Sequence, residues 1–286
     1  MACRALRLSA CVAIGLILAV PVYVGLAKAG LIRSPFFPKV EGPLDLARSS
    51  EERGLRVLFV GNSFTYYNEM PALVGELATN DPGAEEVFSV SYTAPNWTLR
   101  KAADDDGLAE LLREVGWDVV VLQEQSQLLS LWEDLRRSEV YPAVRSLYRD
   151  ITVNGGETLL FLTWGYEEGD RRNVPGDTFE AMQSRLAHGY RELAGELDVD
   201  VAPVGPAWAE ALRRNPRLEL WASDGRHPGR AGSYLAACVL YAVLTGRDPT
   251  GSSFTGGLGE EEARLLQRAA ADVVQARTAV ANSPNP

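Results

Sequence analysis

The chain has 286 residues, 46% of them hydrophobic, which is enough for one sizeable core and too little for two large ones. Its 38 acidic residues outnumber 28 basic ones for a net charge of −10, and a surface of that sign repels phosphate backbones and argues against a nucleic-acid partner. Two histidines and the one cysteine beyond residues 1–29 cannot supply the usual zinc sets, and no glycine-rich phosphate loop occurs, so neither a metal nor another cofactor is expected.

Residues 1–29 come first in chain order. Arg4 and Arg7 precede an uncharged apolar run from Ala10 to Ala27, and Ala27-Lys28-Ala29 has the small-x-small pattern of a cleavage site. The run is long for a signal peptide and short for a membrane span, with Pro21 inside it. Two readings stay open, a cleaved signal peptide and a retained N-terminal membrane anchor. Both place the remainder outside the cytoplasm, secreted or tethered. Cys3 and Cys11 fall in this segment, which leaves Cys238 unpaired within "YLAACVLYAVL", where a small buried thiol is expected. Residues 30–54 carry Pro35, Pro38, Pro43 and then Glu51-Glu52-Arg53, the composition of a linker.

From residue 55 strand-like and helix-like segments alternate. Strands are predicted at 56–60, 87–92, 118–123, 158–163 and 200–204. Helices are predicted near 69–80, 99–115, 130–150, 177–197, 229–245 and 259–280. "DVVVL" and "TLLFLT" are continuous apolar runs, as parallel strands covered on both faces require. The pattern predicts a three-layer α/β/α sandwich around a central parallel sheet of about five strands. One domain is expected over 55–250, with a C-terminal helix and tail over 251–286.

Two segments carry the chemistry. Leu58-Phe59-Val60 ends at Gly61, so Ser63 of "GNSF" sits just past a strand's carboxyl end, the edge where open α/β sheets collect their ligands. Far downstream, "SDGRHP" holds His227 on a loop and Asp224 three residues before it. A serine hydroxyl is a weak nucleophile until a base takes its proton. His227 is the candidate base, and the Asp224 offset suits a carboxylate that fixes its tautomer. His188, mid-helix between Arg185 and Arg191, reads as a solvated or half-buried helix residue, and Asp104-Asp105-Asp106-Gly107 reads as a solvated loop rather than a calcium site.

"VLFVGNSFTYYNEMP" (57–71) and "SDGRHPGRAGSYLAA" (223–237) together resemble the two end blocks of the SGNH, or GDSL-type, hydrolase superfamily, in the right order and over about residues 55–248. The resemblance implies a serine esterase with Ser63, His227 and Asp224 as its triad. It also implies an oxyanion hole made by the backbone N–H of Ser63, a residue after the second strand and an amide side chain after the third. At those two places this sequence departs from the family pattern. Asn96 of "YTAPNWTL" stands where a glycine is usual, and asparagine best tolerates a left-handed backbone among the other residues. "VLQEQSQ" offers Gln123 first and Gln125 second in place of the usual asparagine. Tyr66, Tyr67, Trp97 and Trp164 fall in loops at the same edge, where aromatic faces serve either as platforms for sugar rings and acyl chains or as core.

The functional expectation is an extracytoplasmic esterase acting on short acyl esters, acetyl groups on saccharides among them. An O-acyltransferase using the same acyl-enzyme, and a catalytically silent saccharide-binding module, are the alternatives. The expected partner is a small-molecule or saccharide ester.

Overall fold

The computed structural model describes residues 37–49 and 53–281. The export segment 1–29, the first part of the linker and the tail at 282–286 lie outside the described residues.

The six strands are β1 (Lys39–Glu41), β2 (Leu55–Gly61), β3 (Val87–Thr93), β4 (Val119–Leu122), β5 (Glu157–Phe161) and β6 (Asp200–Ala202). They form one sheet in the order β1-β3-β2-β4-β5-β6. β2 to β6 are parallel, in register from Leu55↔Val87 to Phe161↔Ala202, whereas β1 runs antiparallel to β3. The five parallel strands are as the sequence predicts, and β1 adds an antiparallel edge strand that makes the sheet mixed. The same finding corrects the linker, since 39–48 holds β1 and a short helix, Leu44–Arg48. Gly42 makes that return possible: its φ is +112°, and a Cβ there would lie 2.3 Å from the Ser89 carbonyl oxygen.

Helices cover both faces. Met70–Thr79, Val204–Arg214, Arg230–Thr245 and Glu260–Ala281 pack together on one side, and Leu99–Ala103, Asp106–Glu114, Tyr141–Val153 and Phe179–Leu197 lie on the other. Their apolar faces meet the central strands, in which Val57 to Val60 and Val120 to Leu122 are closed to solvent. The predicted helix 99–115 is two helices. Asp105 interrupts it by capping the second, accepting the Leu108 N–H at 2.9 Å and the Tyr92 hydroxyl at 2.6 Å. Cys238 is buried, and burial pushes its thiol up to about 12. Among the described residues no helix is long and apolar enough to cross a membrane.

The parallel strands all present their carboxyl ends at one edge. Strand order reverses beside β2, whose chain neighbour β3 lies on one side and β4 on the other. That reversal opens a crevice between loops, the usual place for a site in such sheets.

Candidate active site

The segment after β2 is held by the Gln123 side chain just past β4 and by the backbone of the loop after β3. Gly61 is required there, because a Cβ would come within 2.5 Å of the Gln123 Oε1 and 2.7 Å of the Thr65 Oγ1. Asn62 is extended and caps the short helix Ser63–Tyr66, its Oδ1 accepting the Phe64 N–H at 3.1 Å. Its Nδ2 donates to the Trp97 carbonyl at 2.8 Å, tying the turn to the loop after β3. Gln123 Oε1 accepts from the Asn62 N–H and the Thr65 hydroxyl, each at 2.9 Å. Ser63 opens the helix with its N–H in no hydrogen bond within the described residues.

His227 lies on a loop closed by the Trp221↔Pro228 bridge, with the Ala222 N–H on the His227 carbonyl at 2.8 Å. Gly225, at φ +66°, turns the chain so that the N–H groups of Arg226 and His227 both reach Asp224 Oδ1 at 3.0 Å. Asp224 Oδ2 lies 2.5 Å from His227 Nδ1, and His227 Nε2 lies 2.9 Å from Ser63 Oγ. The structure thus brings Ser63, His227 and Asp224 into one line of contacts. Partial desolvation opposes ionisation of Asp224, yet the hydrogen bonds from His227 and Arg226 hold its carboxyl below the usual range.

Aromatic rings hold the imidazole in place. Tyr67 stacks on it with centroids 4.4 Å apart, and Phe64 meets it edge-on at 5.7 Å. Asn68 Nδ2 donates to the Pro228 carbonyl at 3.1 Å and to Ser233 Oγ at 2.9 Å, which fastens the base loop to the chain after Ser63. Sequence reasoning missed Asn68, though an asparagine in a polar break before Pro71 is a signal for the left-handed backbone it adopts, φ 52°.

Of the other candidates, the structure places Asn96 in the exposed loop after β3, with φ 55° and its N–H in no hydrogen bond within the described residues. Gln125 is half-buried, and its Oε1 accepts the Gln127 N–H at 3.1 Å while its NH2 makes no bond within the described residues. The expectation for Gln123 is corrected: its amide is 1% exposed, accepts from the serine turn as above, and donates to the Glu124 carbonyl. Its Oε1 serves two donors of the serine turn and its NH2 gives one N–H to the Glu124 carbonyl, which holds the amide under the turn and away from the surface. Trp97 and Trp164 are corrected as platforms, being 4% and 0% exposed. Trp164 stacks between Phe64 and Trp208 at 4.6 and 4.1 Å, and its Nε1 donates to the Arg226 carbonyl at 3.0 Å. It therefore joins the serine turn to the histidine loop from below. Tyr66 is half-buried against Tyr67.

Beside Asp224 a cleft of ≈ 450 Å³ opens, lined by Tyr166, Glu167, Arg172, Asp224 and Arg226 among others. The Arg226 guanidinium lies 5.1 Å over the Tyr166 ring. Among the described residues no cluster of acidic, histidine and cysteine side chains could hold a metal ion.

No protein-family model matches the chain, and no curated protein matches it either. Solved structures do. A protein of Slackia heliotrinireducens assigned as an SGNH hydrolase matches with a TM-score of 0.56 and 28% identity, over 67% of this chain and 99% of that one. A DUF4886 family protein from Bacteroides uniformis matches with a TM-score of 0.65 and 17% identity, over 78% and 95%. An acetylxylan esterase from Geobacillus stearothermophilus matches with a TM-score of 0.51 and 17% identity, over 70% and 98%. The last two likenesses are of fold.

Proposed function

The chain belongs to the SGNH hydrolase superfamily of carboxylic ester hydrolases, and from that premise we propose that it is an extracytoplasmic serine esterase removing short acyl groups, acetyl among them, from saccharides. The observation that carries this reading is the run of contacts from Ser63 Oγ through His227 to Asp224, at 2.9 and 2.5 Å. In the proposed reaction His227 Nε2 takes the Ser63 proton as Oγ attacks the ester carbonyl. Asp224 stabilises the imidazolium that forms and keeps Nδ1 protonated. His227 then returns the proton to the leaving alcohol, and water, activated by the same imidazole, releases the acid and frees Ser63.

The charge that develops on the carbonyl oxygen needs donors already in place. The N–H groups of Ser63 and Asn96 and the NH2 of Gln125 are donors on the three adjacent loops with no partner among the described residues, and we assign the oxyanion hole to them. A polar leaving alcohol suits the cleft beside Asp224, whose lining residues are mostly charged. The location outside the cytoplasm rests on Arg4, Arg7 and the apolar run that follows them.

The test uses the purified full chain with a fluorophosphonate probe and p-nitrophenyl acetate. Covalent labelling at Ser63, with acetate released independently of any acceptor glycan, is the expected result. Acetate release that gives way to acetylated glycan when an acceptor is added would make the protein an O-acyltransferase. No labelling would overturn the mechanism.

A further inference from the structure

One charged side chain in the core has no part in the reaction described so far. Glu124 follows Gln123 at the end of β4 and is 1% exposed. Its Oε1 accepts two backbone N–H groups, that of Leu99 at 3.1 Å and that of Gln125 at 2.6 Å, while its Oε2 has no hydrogen-bond partner. The buried phenol of Tyr190 is a second titratable group against it, pushed up first by its own burial and then by the Glu124 charge. A buried carboxyl with one oxygen unsatisfied is a costly choice, and a glutamine of the same length would satisfy the same two N–H groups without burying an ionisable group. Stability alone does not explain the residue.

Its two bonds show what it does for the site. Leu99 ends the loop that carries Asn96, and Gln125 belongs to the loop after β4. These loops follow strands that are not neighbours, since β2 lies between β3 and β4. Glu124 spans that gap with a single oxygen. Asn62 and Gln123 already tie the serine turn to each of the two loops, and the Glu124 oxygen closes the remaining side of the triangle.

We propose that Glu124 is a positioning residue for the oxyanion hole, fixing the loop that carries Asn96 against the loop that carries Gln125 so that their donors converge on one oxygen with that of Ser63. This rests on the serine esterase reading above. Donors help only when held where charge develops, and a displacement near 1 Å costs roughly a hundredfold in rate. Because the hole grips the transition state more than the ground state, the loss falls on kcat rather than KM.

The experiment compares the full-length wild type with Glu124→Met and Glu124→Gln for p-nitrophenyl acetate turnover, fluorophosphonate labelling and thermal unfolding. Methionine keeps the packing and removes the acceptor. Glu124→Met leaves the Leu99 and Gln125 N–H groups unpaired, so it should fold somewhat less stably than wild type, and it should lose about 10²-fold in kcat with KM within about threefold, by the oxyanion-hole magnitudes. Glutamine keeps a carbonyl oxygen for both N–H groups and should restore kcat to within about fivefold, since hydrogen bonding to the hole's loops is preserved. A folded Glu124→Met with kcat within threefold of wild type overturns the proposal, and so does a loss that glutamine fails to rescue. Should the methionine variant not fold, Glu124→Asp decides. Its carboxylate is withdrawn by one methylene, so a kcat drop of at least tenfold at unchanged KM supports the role and wild-type kcat overturns it. Wild-type protein that is not labelled at Ser63 overturns the esterase reading itself, whereas labelled wild type beside an undisturbed Glu124→Met overturns only the role of Glu124.

Discussion

The serine turn and the histidine loop reach the same contact from opposite circumstances. Residues 61–65 are buried, and their polar groups are fixed by side chains from β4 and by the backbone of the loop after β3. Residues 222–227 lie at or near the surface: the side chains of Asp224 and His227 are 46% and 28% exposed, and the loop is held by its own backbone, by Trp164 from below and by Asn68 from the side. The proposed nucleophile is thus set by the sheet, whereas the proposed base is set by a few replaceable contacts. Substitutions in the turn should therefore cost stability and activity together, and substitutions in the loop should cost activity with little stability.

The largest break concerns the reacting pair. Ser63→Ala and His227→Ala should each lower kcat for p-nitrophenyl acetate by at least about 10³-fold, with nearly equal losses because the members of such a triad act as a unit. Thermal unfolding should stay within a few degrees of wild type. Turnover near wild type in either variant would refute the mechanism.

Asp224→Asn tests the outer, wetter end of the line. The amide leaves Oδ1 for the N–H groups of Arg226 and His227 but loses the charge that holds the imidazolium. Removing that charge from a buried triad costs up to about 10⁴-fold. With Asp224 half in solvent, a drop nearer 10²-fold in kcat is expected, because water screens part of the interaction. The native contacts hold this carboxyl below the usual range, so its contribution is present above the unfolded value and lost as pH falls through the folded one. The wild-type acid limb should accordingly steepen only below the ordinary carboxylate range, and stopped-time assays between pH 3 and 6, about the span of carboxylate titration, would show it.

Glu124 sharpens the contrast from the buried side. Burial pushes its carboxyl up from 4.5 to about 7. The folded state then binds more protons than the unfolded one between those values, so stability falls as pH rises through that window and the penalty is complete above it. The difference corresponds to about 3 kcal/mol at most. Urea unfolding of wild type at pH 5 and 8 should show such a fall, and Glu124→Gln should flatten it. A wild-type curve as flat as that of the variant would mean that the carboxyl is solvated.

The same contrast explains what could be read without coordinates. Five strands announced themselves as apolar runs with nothing else to do but be buried, whereas β1, only Lys39-Val40-Glu41, has no such signal because one ladder and one edge are all it forms. The helix Val204–Arg214 went unpredicted although Pro206 in its first turn is a helix-start signal. Ser63, Asp224 and His227 were legible because short spacing within each segment places them. Gln123 was not, because sequence does not tell whether a side chain at a strand's end turns out to the crevice or in under the neighbouring loop. Trp97 and Trp164 failed likewise, since an aromatic residue at the sheet's edge has the same letter whether it faces a ligand or Trp208. Glu124 carried the opposite disguise: a charged residue just past an apolar run reads as solvated, and only the backbone N–H groups of two loops explain its burial.

Asn62→Asp probes the turn itself. Its Oδ1 could still cap the helix, but no hydrogen would remain to give to the Trp97 carbonyl, and a carboxylate would face that oxygen at a position 2% exposed. Losing one buried hydrogen bond and leaving its acceptor unpaired costs about 1–3 kcal/mol. Urea unfolding at pH 8 should register that loss together with a fall in kcat. A fall in kcat with unchanged stability would show the turn to be less over-determined than its contacts suggest.

Asn68→Gly is the counterpart on the loop side and the smallest effect. Glycine accepts φ 52° without strain, so the backbone is spared and only the bonds to the Pro228 carbonyl and Ser233 Oγ disappear. Ser233 is buried but keeps its bond to the Tyr67 carbonyl, and the Pro228 carbonyl loses one donor, so the change in stability should stay near about 1 kcal/mol. The kinetic effect should be separable from it. Pro228 adjoins His227, and releasing its carbonyl lets the imidazole drift from Ser63 Oγ, held then by Asp224 and the rings of Tyr67 and Phe64. A three- to tenfold fall in kcat is expected, about what partial loss of general-base alignment gives, with KM unchanged. Should kcat hold while stability falls by more than that, Asn68 belongs with the turn as a structural tie, and the histidine loop owes its position to Trp164 and its own backbone.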